Sequence, residues 1–457
     1  MPDKIAIRGS WVYAWSAERN VAEVLRDRAV LVEGDRIAAI LPADWHNDGS
    51  ARELGGPGAF VIPGLINAHV HSAVTPPVRG VAEDDDRDAT MLGLVVPVIK
   101  AVFEMLQADE IQPLVEWGQL ELMRTGVTTV LESSNHDPEI LVASAKHVGV
   151  RSYVSPLYGE QTPRGKYHIL WGDQGDPDHS IAANVDLFTK YENANGGRIR
   201  GIFGLHAPDT CTEPFLKKIV RAADELDAPM MIHLNQTERE RVTVAEREGG
   251  LSPAEYLQRV GMLRPGLLAA HNTYATPSDA ALMASCGATA VYLPYILSRR
   301  GQPSPLPMLL EAGVNVALGT DSYCGDFVSL MKVGAYLGKQ ASRRPGLPTA
   351  RQMLDAATAG AARGLRRDDI GRIAPGAQAD VAVVDLATTT AAPVFDPVKS
   401  VVYYSSGLDV RHLLVAGQVL LEDGRFTTVD EAAIRRRNEE VCARVWQAVL
   451  GTTAGPA

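Results

Sequence analysis

Residues 61–71 read VIPGLINAHVH. The first six form an apolar, β-prone run, and two histidines two apart follow it. An apolar run without polar alternation suits a strand covered on both faces, as in parallel sheets. Side chains two apart on a strand point to one face. His69 and His71 can therefore grip one cation at the carboxyl end of a strand.

Seven further runs share this character: residues 128–131, 152–157, 201–205, 229–233, 267–271, 288–293 and 315–319. Helical patterns separate them. Eight such units match the size of a closed (β/α)8 barrel, roughly 250 residues. A doubly wound sheet is the alternative, but no GxGxxG follows the first strand. The reading is α/β, with the barrel over residues 61–365.

The flanks read differently. Residues 4–8, 29–32 and 36–40 are strand-like, with a hairpin turn at Glu33-Gly34-Asp35. Residues 379–384, 400–404 and 412–415 are strand-like again, and 417–425 suggest a last hairpin. Residues 1–60 and 366–430 thus form two β-rich pieces around the barrel. Residues 431–457 turn helical and end in a tail.

Hydrophobic residues are 46% and charged residues 22%, which excludes a disordered chain. Asp plus Glu outnumber Lys plus Arg by 55 to 44, leaving a net charge of −11. That balance speaks against nucleic acid and anionic membrane as partners. The longest apolar stretch, residues 92–103, contains Pro97 and Lys100, and a helical span needs roughly 20 residues. The N-terminus MPDKIAIRGSWV carries no secretory pattern. Four cysteines without a CxxC fit reduced thiols in the cytoplasm.

The other strand ends bear on chemistry. Residues 229–233 end in His233, and 267–271 end in His271. Residues 315–319 run into Thr320-Asp321. Barrel active sites lie at these carboxyl ends. Several imidazoles plus one carboxylate suit zinc, iron or another divalent first-row metal.

With these words in place, the chain resembles the amidohydrolase superfamily. It is most similar to the branch of triazine hydrolases and cytosine, guanine and adenosylhomocysteine deaminases. The matching words are VIPGLINAHVH, RTGVTTVLE, LHAPDTC, MIHLNQTERE, AAHNTYATP, VALGTDS, GRIAPGAQADVAVVDL and VAGQVLLEDGR. The resemblance covers at least residues 30 to 425. The resemblance implies a barrel joined to a small β-sandwich domain made from both chain ends. It implies His69, His71, His233 and Asp321 as ligands of one divalent ion, zinc first, with iron, cobalt or manganese as alternatives. His271 would hold or deprotonate the attacking water, with Asp321 accepting a proton. No lysine stands where a carbamylated bridge would form. Glu132 is the one carboxylate placed to build a second metal site.

One departure matters. The deaminase branch has HxxE on strand five, where Glu protonates the ring or leaving group. Here the word is His233-Leu234-Asn235-Gln236. An amide cannot donate a proton as an acid does. The reading therefore places hydrolysis of a small amide, urea or carbamate first, with water activated by the cation. Relatives acting on phenylureas and thiocarbamates fit it. The alternative is a deaminase or dehalogenase of a heteroaromatic ring. A binding protein on a barrel that has lost its chemistry is a third reading.

His206 occupies a position that touches substrate in relatives, or is a packed histidine, and Arg79 lies where relatives carry a similar Arg-Gly, binding substrate or bracing the loop. Asn235, beside a ligand, can orient substrate. Tyr295, Arg299 and Arg300 follow strand seven. Tyr158, Trp171, Tyr292 and Tyr323 would permit an aromatic substrate. The acidic run 83–88 reads as a solvated loop and Cys324 as incidental. The partner is a small molecule, and the resemblance implies a homodimer or higher homo-oligomer.

Overall fold

The computed structural model describes residues 4–80, 96–134, 137–156, 177–323 and 325–452. The acidic run 83–88, Tyr158, Trp171 and Cys324 lie outside them.

Four strands open the chain: β1 (Lys4–Ser16), β2 (Val21–Glu33), β3 (Arg36–Leu41) and β4 (Ala51–Pro63). Four close it: β14 (Val381–Asp385), β15 (Val410–Val415), β16 (Gln418–Glu422) and β17 (Arg425–Phe426). They form one eight-stranded sheet in the order β17-β16-β15-β14-β4-β1-β2-β3. The seam joining the chain ends is antiparallel pairing of β14 with β4. Ile7, Val30, Ile37, Val61, Val381 and Leu414 share one buried cluster on this sheet. The β-sandwich domain is therefore composite.

Between them lie β5 (Leu65–Val70), β6 (Val127–Ser134), β7 (Arg151–Pro156), β8 (Ile199–Gly201), β9 (Phe203–Gly204), β10 (Met230–Leu234), β11 (Leu267–His271), β12 (Thr289–Tyr292) and β13 (Asn315–Leu318). All adjacent pairs are parallel. The fourth barrel strand is split at Ile202: β8 pairs with β7, and β9 with β10. The ring closes between β5 and the end of β13. There Val70 bridges Asp321, and Asn67 donates to Thr320 Oγ1 at 2.7 Å. Ile66, Leu131, Tyr153, Ile202, Met231, Leu268, Val291 and Ala317 share the buried cluster that fills the barrel. The fold is a (β/α)8 barrel with a β-sandwich domain.

Two sequence expectations need correction. The run 61–66 is not the first barrel strand. Residues 61–63 end β4 in the sandwich, and the barrel strand starts at Leu65. The break is at Gly64, where a Cβ would collide with the Thr128 side chain, so only glycine fits. Residues 400–404 are not a strand either. Residues 400–403 belong to the helix Pro397–Tyr403, and Tyr404 is its C-cap. Asp396 caps it, accepting from Val398 N at 3.0 Å and Lys399 N at 3.1 Å, and Pro397 presets its first turn. Cap and tertiary burial outweigh the β-branched valines. The C-terminal helix Glu431–Thr452 lies on the barrel, where Trp446 Nε1 donates to Pro77 O at 2.8 Å.

One buried ion pair ties the two domains together. Arg151, at the start of β7, is 1% exposed on its side chain and binds both oxygens of Asp380, just before β14. Removing one partner would leave the other charge buried and unpaired. Arg151→Ala is expected to cost about 3–5 kcal/mol. Urea unfolding would read this, and a loss below about 1 kcal/mol would mean water takes over the role.

Candidate active site

Strand alternation alone would not aim inward both His69 of β5 and His71 just after it. Ile66 and Ala68 lie in the barrel cluster, whereas Val70 packs in the outer one. The β5–β6 register shifts between Asn67 and Val70. This bulge resets the pleat, so His69 and His71 both face the interior. Their ring centroids are 4.8 Å apart, and His69 is 4.9 Å from His233.

His233 comes from β10 and His271 ends β11. Asp321 follows β13, anchored where its N–H donates to His69 O at 2.9 Å. His69, His71 and His233 bring ligand atoms within 4.8 Å of one another, and so do His69, His271 and Asp321. The two groups share His69.

Hydrogen bonds orient the rings. His71 Nδ1 is 2.6 Å from Ser133 O, and His233 Nδ1 is 2.7 Å from His206 O. A carbonyl accepts only, so each Nδ1 carries the proton and each Nε2 is left with a lone pair. Both ring nitrogens of His69, and Nε2 of His271, are buried without a hydrogen-bond partner. Buried polar atoms want partners. A divalent cation fits these orphaned donors.

The electrostatics agree. Burial first, and then neighbouring imidazoles, hold His69 well below the ordinary histidine range. Burial does the same to His206 and His271. His233 is lowered to about 4, by burial and then by His71. These rings are neutral at pH 7, as ligation requires. Burial pushes Asp321 up, but His271, His71 and His69 outweigh it and keep the carboxylate ionised.

A consequence for the chelated protein follows from His233. Its folded value lies below the unfolded one. Between about pH 6.5 and 4 the unfolded chain takes a proton that the folded chain refuses. Stability should therefore fall as pH drops through that window, on the order of 3 kcal/mol from His233 alone. Urea midpoints at pH 7, 5.5 and 4.5 would test this; a flat profile would contradict the burial argument.

Backbone strain gathers at the same place. Asn235, His271, Asn272 and Asp321 all have positive φ, between 51° and 80°. Such residues are costly and cluster at functional sites.

The remaining expected residues separate. Asn235 is fully buried beside His233, and neither atom of its carboxamide has a partner. Gln236 is half-buried in the adjoining turn. His206 Nδ1 lies 3.1 Å from Thr210 Oγ1, its ring 5.4 Å from His233. Arg79 is tied to Glu121 of the helix Ala108–Arg124. Tyr292 packs in the outer core with Ser304, away from the barrel interior. Arg299 lies over the Tyr323 ring at 4.2 Å, and Tyr295 donates to Asp326 O. Arg300 lies close enough to His271 and Asp321 to act on both by charge.

Glu132 is turned away from the barrel. Leu131 points inward, so Glu132 points outward, bonded to Ser72 and Gln119. Burial lifts it to about 7. It does not build a second metal site with the inward histidines.

Glu240 does not stand at the HxxE position, and its role emerges only from the structure. Its carboxylate accepts from Asn235 N at 2.8 Å and Gln236 N at 2.7 Å. It thereby holds the turn after His233. Thr237 caps the same helix, Glu238–Arg247, accepting from Glu240 N. The word Thr-x-x-Glu is a readable helix-start signal, with Glu240 turned to the N–H groups of Asn235 and Gln236. Burial, and then Asp209, push Glu240 up to about 8.

Residues 60–420 match the model of the amidohydrolase family. The chain belongs to this family. A 5-methylthioadenosine/S-adenosylhomocysteine deaminase of Halobacterium salinarum is 33% identical over 430 residues, covering 92% of this chain and 95% of the relative. Among solved structures, a zinc-bound adenosine deaminase of Xanthomonas campestris superposes with TM-score 0.85 at 26% identity, covering 97% of this chain and 98% of that one. A zinc complex of an atrazine chlorohydrolase from Arthrobacter aurescens has TM-score 0.83, covering 96% and 100%. At 21% identity it speaks for the shared fold alone. As an amidohydrolase, the protein is a metal-dependent hydrolase of C–N bonds other than peptide bonds. No helix among the described residues is long and apolar enough to cross a membrane.

Proposed function

We propose that this amidohydrolase removes the exocyclic amino group of an adenine-type ring, using one divalent cation, zinc first. The observation that carries the reading is a relative named as a deaminase, 33% identical over almost the whole of both chains. The inward His69, His71, His233 and Asp321 would hold the cation. Bound there, it would lower the pKa of water towards neutrality.

The chain's own residues divide the remaining work. His271 Nε2 lies 3.5 Å from Asp321 Oδ2. This pair takes both protons of the attacking water, passing one to the ring nitrogen and one to the leaving amine. The unpartnered Asn235 carboxamide has an oxygen that accepts and an N–H that donates. An amino group beside a ring nitrogen offers the reverse pattern, so the two edges match. Glu240 keeps the turn bearing Asn235 and Gln236 in place.

Gln236 favours a second reading. It cannot protonate a ring nitrogen. A carbonyl compound needs that proton less, so an amide, urea or carbamate remains a candidate substrate. Product analysis on a panel of adenosine-type nucleosides, cytosine, guanine, triazines, phenylureas, anilides and carbamates separates them. Ammonia from an aminopurine is the expected product. An organic amine from a carbonyl compound, with no ammonia from any ring, would replace the first reading by the second.

A further inference from the structure

We propose that the barrel end opposite the histidines carries a binding site for a compact oxyanion, set between barrel and sandwich. A cavity of about 310 Å³ opens there, lined by Arg36, Arg151, Arg200 and Arg367, by Asp35 and Asp369, and by the 193–197 turn. Ligand sites begin at roughly this size and favour domain boundaries. Arg151 and Arg200 come from the starts of β7 and β8, whereas the metal-type donors sit at strand carboxyl ends.

The cavity is rich in donors and short of acceptors. Each guanidinium carries five N–H groups. Asp369 is held by Arg367 through both oxygens, and Asp380 by Arg151. Arg367 spends another N–H on Tyr153 Oη at 2.8 Å. Arg200 bonds Glu192 through Nη1, yet its Nε is buried with no acceptor. Burial raises Tyr153, but Arg367, Arg200 and Arg151 all oppose that. Three cationic fields therefore converge on this floor of the barrel. Asp369 and Asp380 are engaged, Arg151 also donates to Gly197 O and Gln378 Oε1, and Asp35 meets Gln378 and Arg36 only at 3.4 and 3.7 Å at the exposed rim, while Arg200 Nε is left over. A planar fork of donors matches carboxylate and phosphate oxygens. A small di-anion of either type would take the free donors, including Arg200 Nε.

Calorimetric titration of the metal-loaded chain with inorganic phosphate, and separately with malonate, at fixed ionic strength tests this. Expected is saturable binding of at least one of them, near one per chain. Whichever binds tighter names the head group. Arg200→Gln should weaken it about tenfold or more while turnover stays unchanged. Arg36→Gln, at the exposed rim, is the second variant and should weaken it as well. Binding should persist in His69→Ala, which separates this cavity from an anion on the catalytic metal. The proposal is overturned if neither anion binds, if both arginine variants bind as tightly as the parent, or if His69→Ala alone abolishes binding.

Discussion

His69→Ala is expected to lower turnover by about 10³-fold or more and to strip the chain of its metal. Both nitrogens of this ring are buried without a partner, and it is shared by both donor groups of the site. No described neighbour can replace it, because His71 and His233 are already oriented by carbonyls. Asp321→Asn is the gentler companion. The amide still accepts from Ser322 N and keeps the shape of the turn. It loses the charge that the surrounding imidazoles hold ionised. Turnover should fall comparably, with the unfolding midpoint little changed. Metal content by atomic emission, beside kcat, is the measurement. Full activity in either variant would remove these residues from the site.

The second large effect concerns the turn after His233. Gln236→Glu should raise deamination of an aminopurine by about 10²-fold or more, since a placed general acid contributes roughly 10²–10⁴. The setting suits an acid. Glu240 lies beside this turn and is itself raised to about 8 by burial and Asp209. A new carboxyl there would lie in a half-buried turn, where partial desolvation favours its protonated form. The backbone is already held by Glu240, so folding should survive. A lower rate on every substrate would show instead that the Gln236 carboxamide makes a specific substrate contact. A gain confined to ring amines would explain how a chain so similar to deaminases carries an amide at this position.

Much of the site is legible in residues alone. His69, His71, His233, His271 and Asp321 stand at ends of apolar runs, and the barrel brings all five together. The capping word around Glu240 was equally readable, but its meaning depends on a turn whose N–H groups it meets. Arg79 illustrates the opposite case. Its sequence position allows a substrate contact or a brace for the loop, and its guanidinium is engaged by Glu121. Tyr292 likewise lies near a strand end yet faces the outer core.

By itself, the sequence determined the alternation of buried strands and helices, the composite flanks and the donor types at the barrel mouth. These depend on local periodicity and residue chemistry, which a linear string carries. The tertiary structure decided the rest. The bulge in β5 aims both histidines inward, and a period-two reading cannot see a register shift set by the neighbouring strand. Gly64 moves the start of the barrel because Thr128, far along the chain, leaves no room for a side chain. Asp396 and packing turn 397–403 into helix against its β-branched composition. Glu132 faces outward because the pleat of β6 is fixed by its neighbours. Each of these outcomes rests on contacts between residues distant in sequence, and such contacts exist only once the chain has closed.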